Sequence, residues 1–244
     1  MNRKLVLGVV VGLIAAQLWA QEKQPKKIEL KSTADRAAYA FGAFHAMQIH
    51  DHFETEGVPL DKDVLLRGFR EALSGGKMAL SEEEMGAAIQ AMQDEVAKRN
   101  ADEGENFLAN NKKKKDVVTT PSGLQYRILK KGMGKSPTVR DVVTVNYRGK
   151  FLNGKEFDSS YARKEPLSIA VARTIEGWRE ALPQMQVGSK WELYVPSDLA
   201  YGPTGNGGSF PPNAMLVFEV ELLDIAKAEA AAPRTKPQSV EDLK

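Results

Sequence analysis

Tyr147, Phe157, Asp158, Trp178, Tyr201 and Phe218 fall in separate segments of the C-terminal half of the chain. If one fold brings them together, they line a small aromatic pocket with a single carboxylate at its edge. Such a set can bind and reshape a molecule but has no equipment for breaking bonds. There is no cysteine, which removes thiol catalysis, disulfides and thiolate metal sites. The only histidines are His45, His50 and His52, so a Ser/His/Asp triad in the C-terminal half is impossible. His50 and His52 form a His-x-His pair with no third ligand close in sequence, and they read as surface residues. Gly202 to Gly208 contains four glycines, but no Gly-Lys-Ser/Thr follows and no helix opens, so it reads as a mobile flap over the pocket and not as a phosphate loop.

A scaffold for these residues is written in the alternation that starts at Val117. Leu124, Tyr126 and Ile128 share one strand face, Val143, Val145 and Tyr147 another. Trp191, Leu193 and Val195 alternate next, then Leu216, Phe218, Val220 and Leu222. Asn153-Gly154 predicts a type I′ hairpin turn, and Ile175 to Leu182 predicts one short helix. The expected fold class is α+β: an all-helical N-terminal domain with a long connecting helix, then an antiparallel sheet wrapped around that short helix.

The helical half is punctuated clearly. Ser32-Thr33-Ala34-Asp35 opens a first helix, whose Tyr39, Phe41, Phe44 and Met47 leave little exposed face and whose Gly42-Ala43 lets another helix approach closely. Asp61 and Asp63 open a second, with Val64, Leu65, Gly68, Phe69, Ala72 and Leu73 at helical spacing and Ser74-Gly75-Gly76 as the stop. Ser81 and Glu84 form a capping box for a third helix of about thirty residues, about 45 Å long. Its apolar positions concentrate in the first half. The second half, polar except for Phe107 and Leu108, is expected to be solvated all round and to bridge two domains. Lys112 to Lys115 read as a solvated helix end.

The chain of 244 residues with formal charge +2 accommodates one large domain or two ordinary ones, and gives no reason to expect nucleic acid as a partner. Arg3 and Lys4, the apolar run Leu5 to Ala16 and the small residue Ala20 read as a secretion signal over 1–20, with an uncleaved membrane anchor as the alternative. The protein is therefore expected to be exported, to the periplasm first, with the outer membrane or cell surface as alternatives. Residues 21–31 read as an exposed lead-in and 226–244 as a disordered tail.

The segments V-N-Y-R-G (145–149), N-G-K-E-F-D-S-S (153–160), I-E-G-W (175–178), L-A-Y-G (199–202) and P-P-N-A-M-L-V-F-E-V-E-L-L (211–223) resemble, in order, the FKBP-type peptidyl-prolyl cis-trans isomerases. L-D-K-D-V-L-L-R-G-F-R-E-A-L-S-G-G (60–76), L-S-E-E-E-M (80–85), E-G-E-N-F-L (103–108) and P-S-G-L-Q-Y (121–126) are similar to the exported bacterial Mip/FkpA subgroup. The resemblance implies a helical dimerisation domain over 32–80, a linker helix over 81–115 that holds the catalytic domains apart, and an isomerase domain of FKBP fold over 116–225.

It also implies an activity: catalysed rotation of X-Pro bonds in unfolded or partly folded proteins, with a separable chaperone action by a homodimer. Asp158, Tyr201, Phe157 and Phe218 carry over as catalytic residues. Tyr147, Leu167, Thr174, Ile175, Trp178, Asn206 and Phe210 carry over as substrate-binding residues, with Trp178 as the floor under the proline ring. The resemblance calls for no metal and no cofactor, and admits macrolide inhibitors. Each aromatic alone reads as core packing; the order and spacing of the set argue for a pocket. Three positions depart from the family pattern: Leu167, often aromatic; Thr174, often valine; and Asn206, often histidine. They keep open a second reading, a module that grips proline peptides with little turnover.

Overall fold

A computed structural model of the protein describes residues 29–227. The expected secretion signal, most of the lead-in and the tail beyond Lys227 lie outside the described residues. Two compact units divide the chain, the first ending at Ile49 and the second beginning at His50. Among the described residues no helix is long and apolar enough to cross a membrane.

Helix α1 spans Thr33–Glu56. Ser32 and Asp35 close its start reciprocally, each side chain accepting from the other's backbone N–H at 3.0 Å. Within the single chain Tyr39, Phe41, Phe44 and Met47 are all exposed, Phe41 by 69%, so any covering of this apolar helix must come from outside the chain. Helix α2 spans Lys62–Ser74, capped by the Asp61 carboxylate and ended by Gly75 at φ 63°, the left-handed conformation that costs glycine nothing. Val64 and Leu73 on α2 are likewise exposed. Helix α3 spans Glu82–Asn111 and begins with the Ser81/Glu84 capping box in full.

The second half of α3 is not solvated all round. Gly104 and Asn111 are buried, and the Phe107 ring lies 5.5 Å from that of Tyr194. Amide side chains bind backbone carbonyls here: Asn100 donates to Pro212 O at 2.8 Å and Asn213 to Ala97 O at 3.1 Å. Asn111 donates to the Gln125 side chain, which in turn donates to Leu108 O. Polar composition misled because amides can dock a helix as well as keep it wet.

The strands are β1 (Val118–Thr119), β2 (Gln125–Lys130), β3 (Asp141–Phe151), β4 (Glu156–Ser159), β5 (Leu167–Ala170), β6 (Lys190–Val195) and β7 (Leu216–Lys227). They form one antiparallel sheet in the order β1-β2-β6-β7-β3-β4, with β5 also on β3. β7 lies along the whole of β3, so β4 and β5 share the other edge of β3 end to end. β7 continues two residues past the expected domain end, with Ala226 opposite Val142 and Lys227 opposite Asp141. A one-turn helix α4 (Ser160–Arg163) follows β4. Helix α5 (Glu176–Ala181) is the short helix the sheet wraps.

Alternation fixes which face is inside. Val143, Val145, Tyr147 and Phe151 of β3 point into the core with Leu193 and Val195 of β6 and Leu216, Phe218, Val220 and Leu222 of β7. Trp178 and Ala181 of α5, with Leu182 and Met185 just after it, close the core from the other side. The approach is tight: a Cβ on Gly177 would sit 2.6 Å from Val195 Cγ1. The hairpin at Asn153-Gly154 differs from expectation. Gly154 is at φ 87° but Asn153 is not at positive φ, and Phe151 N–H binds Lys155 O. The loop is the three-residue kind, a turn closed by a glycine at positive φ. The Asn153 side chain selects it by accepting from Lys155 N–H at 2.9 Å.

Candidate active site

Strands β3, β4 and β7, the start of α5 and the segment Ser209–Phe210 converge on a cavity of about 370 Å³. Its lining includes ten of the sequence-predicted residues: Tyr147, Phe157, Asp158, Leu167, Thr174, Ile175, Trp178, Tyr201, Phe210 and Phe218. Trp178, 4% exposed, is the floor. Tyr147 and Phe218 stand edge-on to it, with ring centroids at 5.4 and 5.3 Å and interplanar angles of 85° and 76°. Phe157 is edge-on to both Phe218 and Phe210, and Tyr201 stacks on Phe210 at 3.9 Å. Edge-to-face packing holds the rings apart as walls instead of letting them collapse into a stack.

This arrangement needs a bare strand opposite the walls. Gly149 pairs with both Asp158 and Phe218 across β3, and a Cβ there would come within 2.5 Å of the Phe157 ring and 2.9 Å of the Phe218 ring.

One carboxylate reaches this apolar space. Asp158 accepts from the Tyr147 hydroxyl and from the Arg163 guanidinium, and Arg163 also donates to Tyr147 Oη at 2.9 Å. Burial, then the Asp158 hydrogen bond, raise the Tyr147 phenol above its ordinary value. Burial, then the Asp158 charge, raise that of Tyr201. Both stay protonated at neutral pH. Among the described residues no hydrogen bond occupies the Tyr201 hydroxyl or the Ile175 N–H, which leaves two donors free for a ligand. Burial and the Glu192 bond push the Tyr194 phenol well above 10. Because folding raises all three, their contribution to stability is whole below the ordinary phenol value of 10.0 and is lost as pH rises through the higher folded values. The melting temperature is thus expected to fall as the pH is raised from 9 to 11 (about one unit to either side of the ordinary phenol pKa), and calorimetry across that range reads it. A flat profile would mean the phenols ionise alike folded and unfolded.

Asn206 does not line the cavity. Its side-chain oxygen accepts from Gly208 N–H and Phe210 N–H at 3.2 and 2.9 Å, so it holds the bend of the flap, as short amides do in turns. Thr174 lines the pocket, but its hydroxyl donates to Val171 O at 2.8 Å and is not offered at the rim. Ile169, Arg173 and Ser209 line it as well. Ile169 was legible as the residue two beyond Leu167 on the same strand face. Arg163 carried a weaker signal, a lone guanidinium five residues after the carboxylate. Arg173 and Ser209 carried none. Among the described residues no group of three or more His, Cys, Asp or Glu could hold a metal ion.

An aromatic box with a carboxylate at its edge, on a sheet wrapped around one short helix, defines a site for a compact apolar ring. The model of FKBP-type peptidyl-prolyl cis-trans isomerases matches residues 134–223, and that of the domain amino-terminal to it matches 34–128. The chain belongs to the FKBP-type peptidyl-prolyl cis-trans isomerases and is an enzyme of that class. It is of the Mip/FkpA kind. Outer membrane protein MIP of Legionella longbeachae is 36% identical over 93% of this chain and 100% of that protein. FkpA of Aeromonas hydrophila is 35% identical over 97% and 100%. The crystal structure of FkpA from Escherichia coli aligns with a TM-score of 0.53 at 37% identity, covering 82% of this chain and 100% of that one.

Proposed function

We propose that the protein is an exported homodimeric prolyl isomerase that acts on X-Pro bonds of unfolded or partly folded polypeptides in the cell envelope, with a chaperone action separable from catalysis. The division we infer is dimerisation helices over 32–80, a connecting helix over 81–115 and a catalytic domain from 116 to the end of β7 at Lys227. Export is supported by the n- and h-region pattern of the first twenty residues and by one relative carrying the name outer membrane protein.

The barrier is the partial double bond of the imide, about 18–20 kcal/mol. The planar form is the more dipolar, and water favours it. Moving the imide onto Trp178 between Phe157, Tyr147 and Phe218 removes that water and narrows the gap to the twisted state. Tyr201 donates to the carbonyl preceding proline, Ile175 N–H holds a neighbouring carbonyl, and Asp158 acts through its field.

The single observation that carries dimerisation is the row of exposed apolar side chains Tyr39, Phe41, Phe44 and Met47 on α1, too large a feature to leave in water. Sedimentation of the full chain is expected to give a dimer, and the double substitution Phe41→Asp, Phe44→Asp a monomer. The monomer should isomerise a short proline peptide at the parent rate yet lose most of its effect on a proline-limited refolding protein. A parent chain that sediments as a monomer removes the dimer. A monomeric variant that refolds the protein as well as the parent removes the paired-site role.

A further inference from the structure

A second cavity, of about 390 Å³, lies on the other side of the flap from the catalytic pocket. Phe210 lines both, with Ser209 on the catalytic side and Gly207 and Gly208 on the other. The far wall is the end of α1 and the middle of α3, which contribute Glu56 and Asp94. No lysine or arginine is among its lining residues.

Glu56 is the unusual member. It is 5% exposed, yet its Oε2 has no hydrogen-bond partner among the described residues, and the nearest ionisable partner of Oε1 is His52 Nε2 at 3.6 Å. The two cations that bind the end of α1 are engaged with other groups. Arg99 donates to the Glu56 and Gly57 backbone carbonyls, and Lys155 is held by Asp51, Glu54 and Thr55. A buried carboxylate without a donor is costly unless something else completes it. Pro203, Phe210, Pro212 and Ala97 make the apolar part of the wall, and His52, Thr204, Gln93 and Gln90 add polar groups, Gln90 donating to one Asp94 oxygen at 2.9 Å. Apolar walls leading to two carboxylates match a long side chain with methylenes along its stem and a cation at its tip.

We propose that this cavity is a second subsite for the polypeptide substrate, one that takes a lysine or arginine side chain lying near the isomerised proline; the inference rests on the isomerase reading of the catalytic pocket. The flap separating the two cavities is a single strand of chain. An extended peptide advances about 3.3–3.6 Å per residue, so a basic residue about two or three positions from the proline spans it. Glu56 and Asp94 receive the cation, and the substrate's stem packs on the back of Phe210.

The test is the full-length protein acting on a peptide series in which lysine, arginine, norleucine or glutamate occupies each position from three before to three after one proline. At one position, lysine and arginine are expected to raise kcat/KM over norleucine by about fivefold, the worth of a part-exposed ion pair. The gain should appear in KM and fade with added salt. Glu56→Gln should remove it, and Gln93→Lys, on the exposed face of α3, should remove it by supplying a competing cation. Both variants should still turn over the norleucine peptides at the parent rate, which reports an intact fold. Should Glu56→Gln fail that check, Gln93→Lys decides alone. No basic preference at any position, or a preference that survives Gln93→Lys, overturns the subsite. Failure of the parent to turn over the norleucine peptides would instead strike the isomerase reading beneath it.

Discussion

Replacing Phe218 by alanine is expected to cost the protein both stability and nearly all of its isomerase rate. The ring is buried and belongs at once to the core and to the pocket wall, edge-on to Trp178 and Phe157. Deleting a buried phenylalanine typically costs about 3–5 kcal/mol. At about 2–4 °C per kcal/mol for a chain this size, the melting temperature should drop by about 6–20 °C. Below that transition, kcat/KM on a proline peptide should fall by at least about a hundredfold, equivalent to about 2.7 kcal/mol of lost transition-state stabilisation. The loss opens the cavity beside the imide and lets water back onto it. Phe218→Leu separates the two roles. Leucine restores most of the volume, so stability should recover to within about 1.5 kcal/mol, while the edge-on wall stays missing and the rate stays low. A Phe218→Leu protein with the parent rate would make the ring filler only, and the claim that aromatic walls drive the rotation would fail.

Much of this architecture was readable beforehand because its determinants are local. A capping box needs only Ser81 and Glu84 three residues apart, and an alternating strand such as β3 declares its inner face by residue type alone. Seven of the ten pocket residues sit in segments with their own pattern, whereas Leu167, Thr174 and Phe210 came only with the family resemblance. What escaped depended on partners distant in sequence. Gly149 looks like a strand weakness until the Phe157 and Phe218 rings are known to converge on it. The polar half of α3 looked free because its docking runs through Asn100 and Asn111, whose targets are backbone carbonyls and a glutamine with no sequence signature. Asn206 stood at a position often held by histidine, but its side-chain oxygen is taken up by its own loop. The Asn153-Gly154 turn went wrong for a related reason: the dipeptide permits positive φ at both residues, and the Asn153 side chain chose otherwise by binding Lys155 N–H.

Asp158→Asn is expected to lower kcat/KM by about ten- to a hundredfold with little change in KM, the range that a hydrogen-bonded charge worth about 1.5–3 kcal/mol spans. The planar imide carries negative charge on its oxygen, and the twisted state carries less. A carboxylate at the pocket edge therefore penalises the ground state more than the transition state, which is the condition for raising kcat. Asparagine keeps the shape and removes the field. It also presents an amide to the Tyr147 hydroxyl and the Arg163 guanidinium, both of which now donate to the carboxylate. Stability should barely move, by about 1 kcal/mol at most, because the Asp158–Arg163 pair is well exposed. Arg163→Met supplies the sign. Removing the neutralising guanidinium exposes more of the carboxylate's field, so its kcat should hold or rise while that of Asp158→Asn falls. If both substitutions lower kcat alike, the pair acts by positioning Tyr147, and the field of Asp158 has no direct part in the rotation.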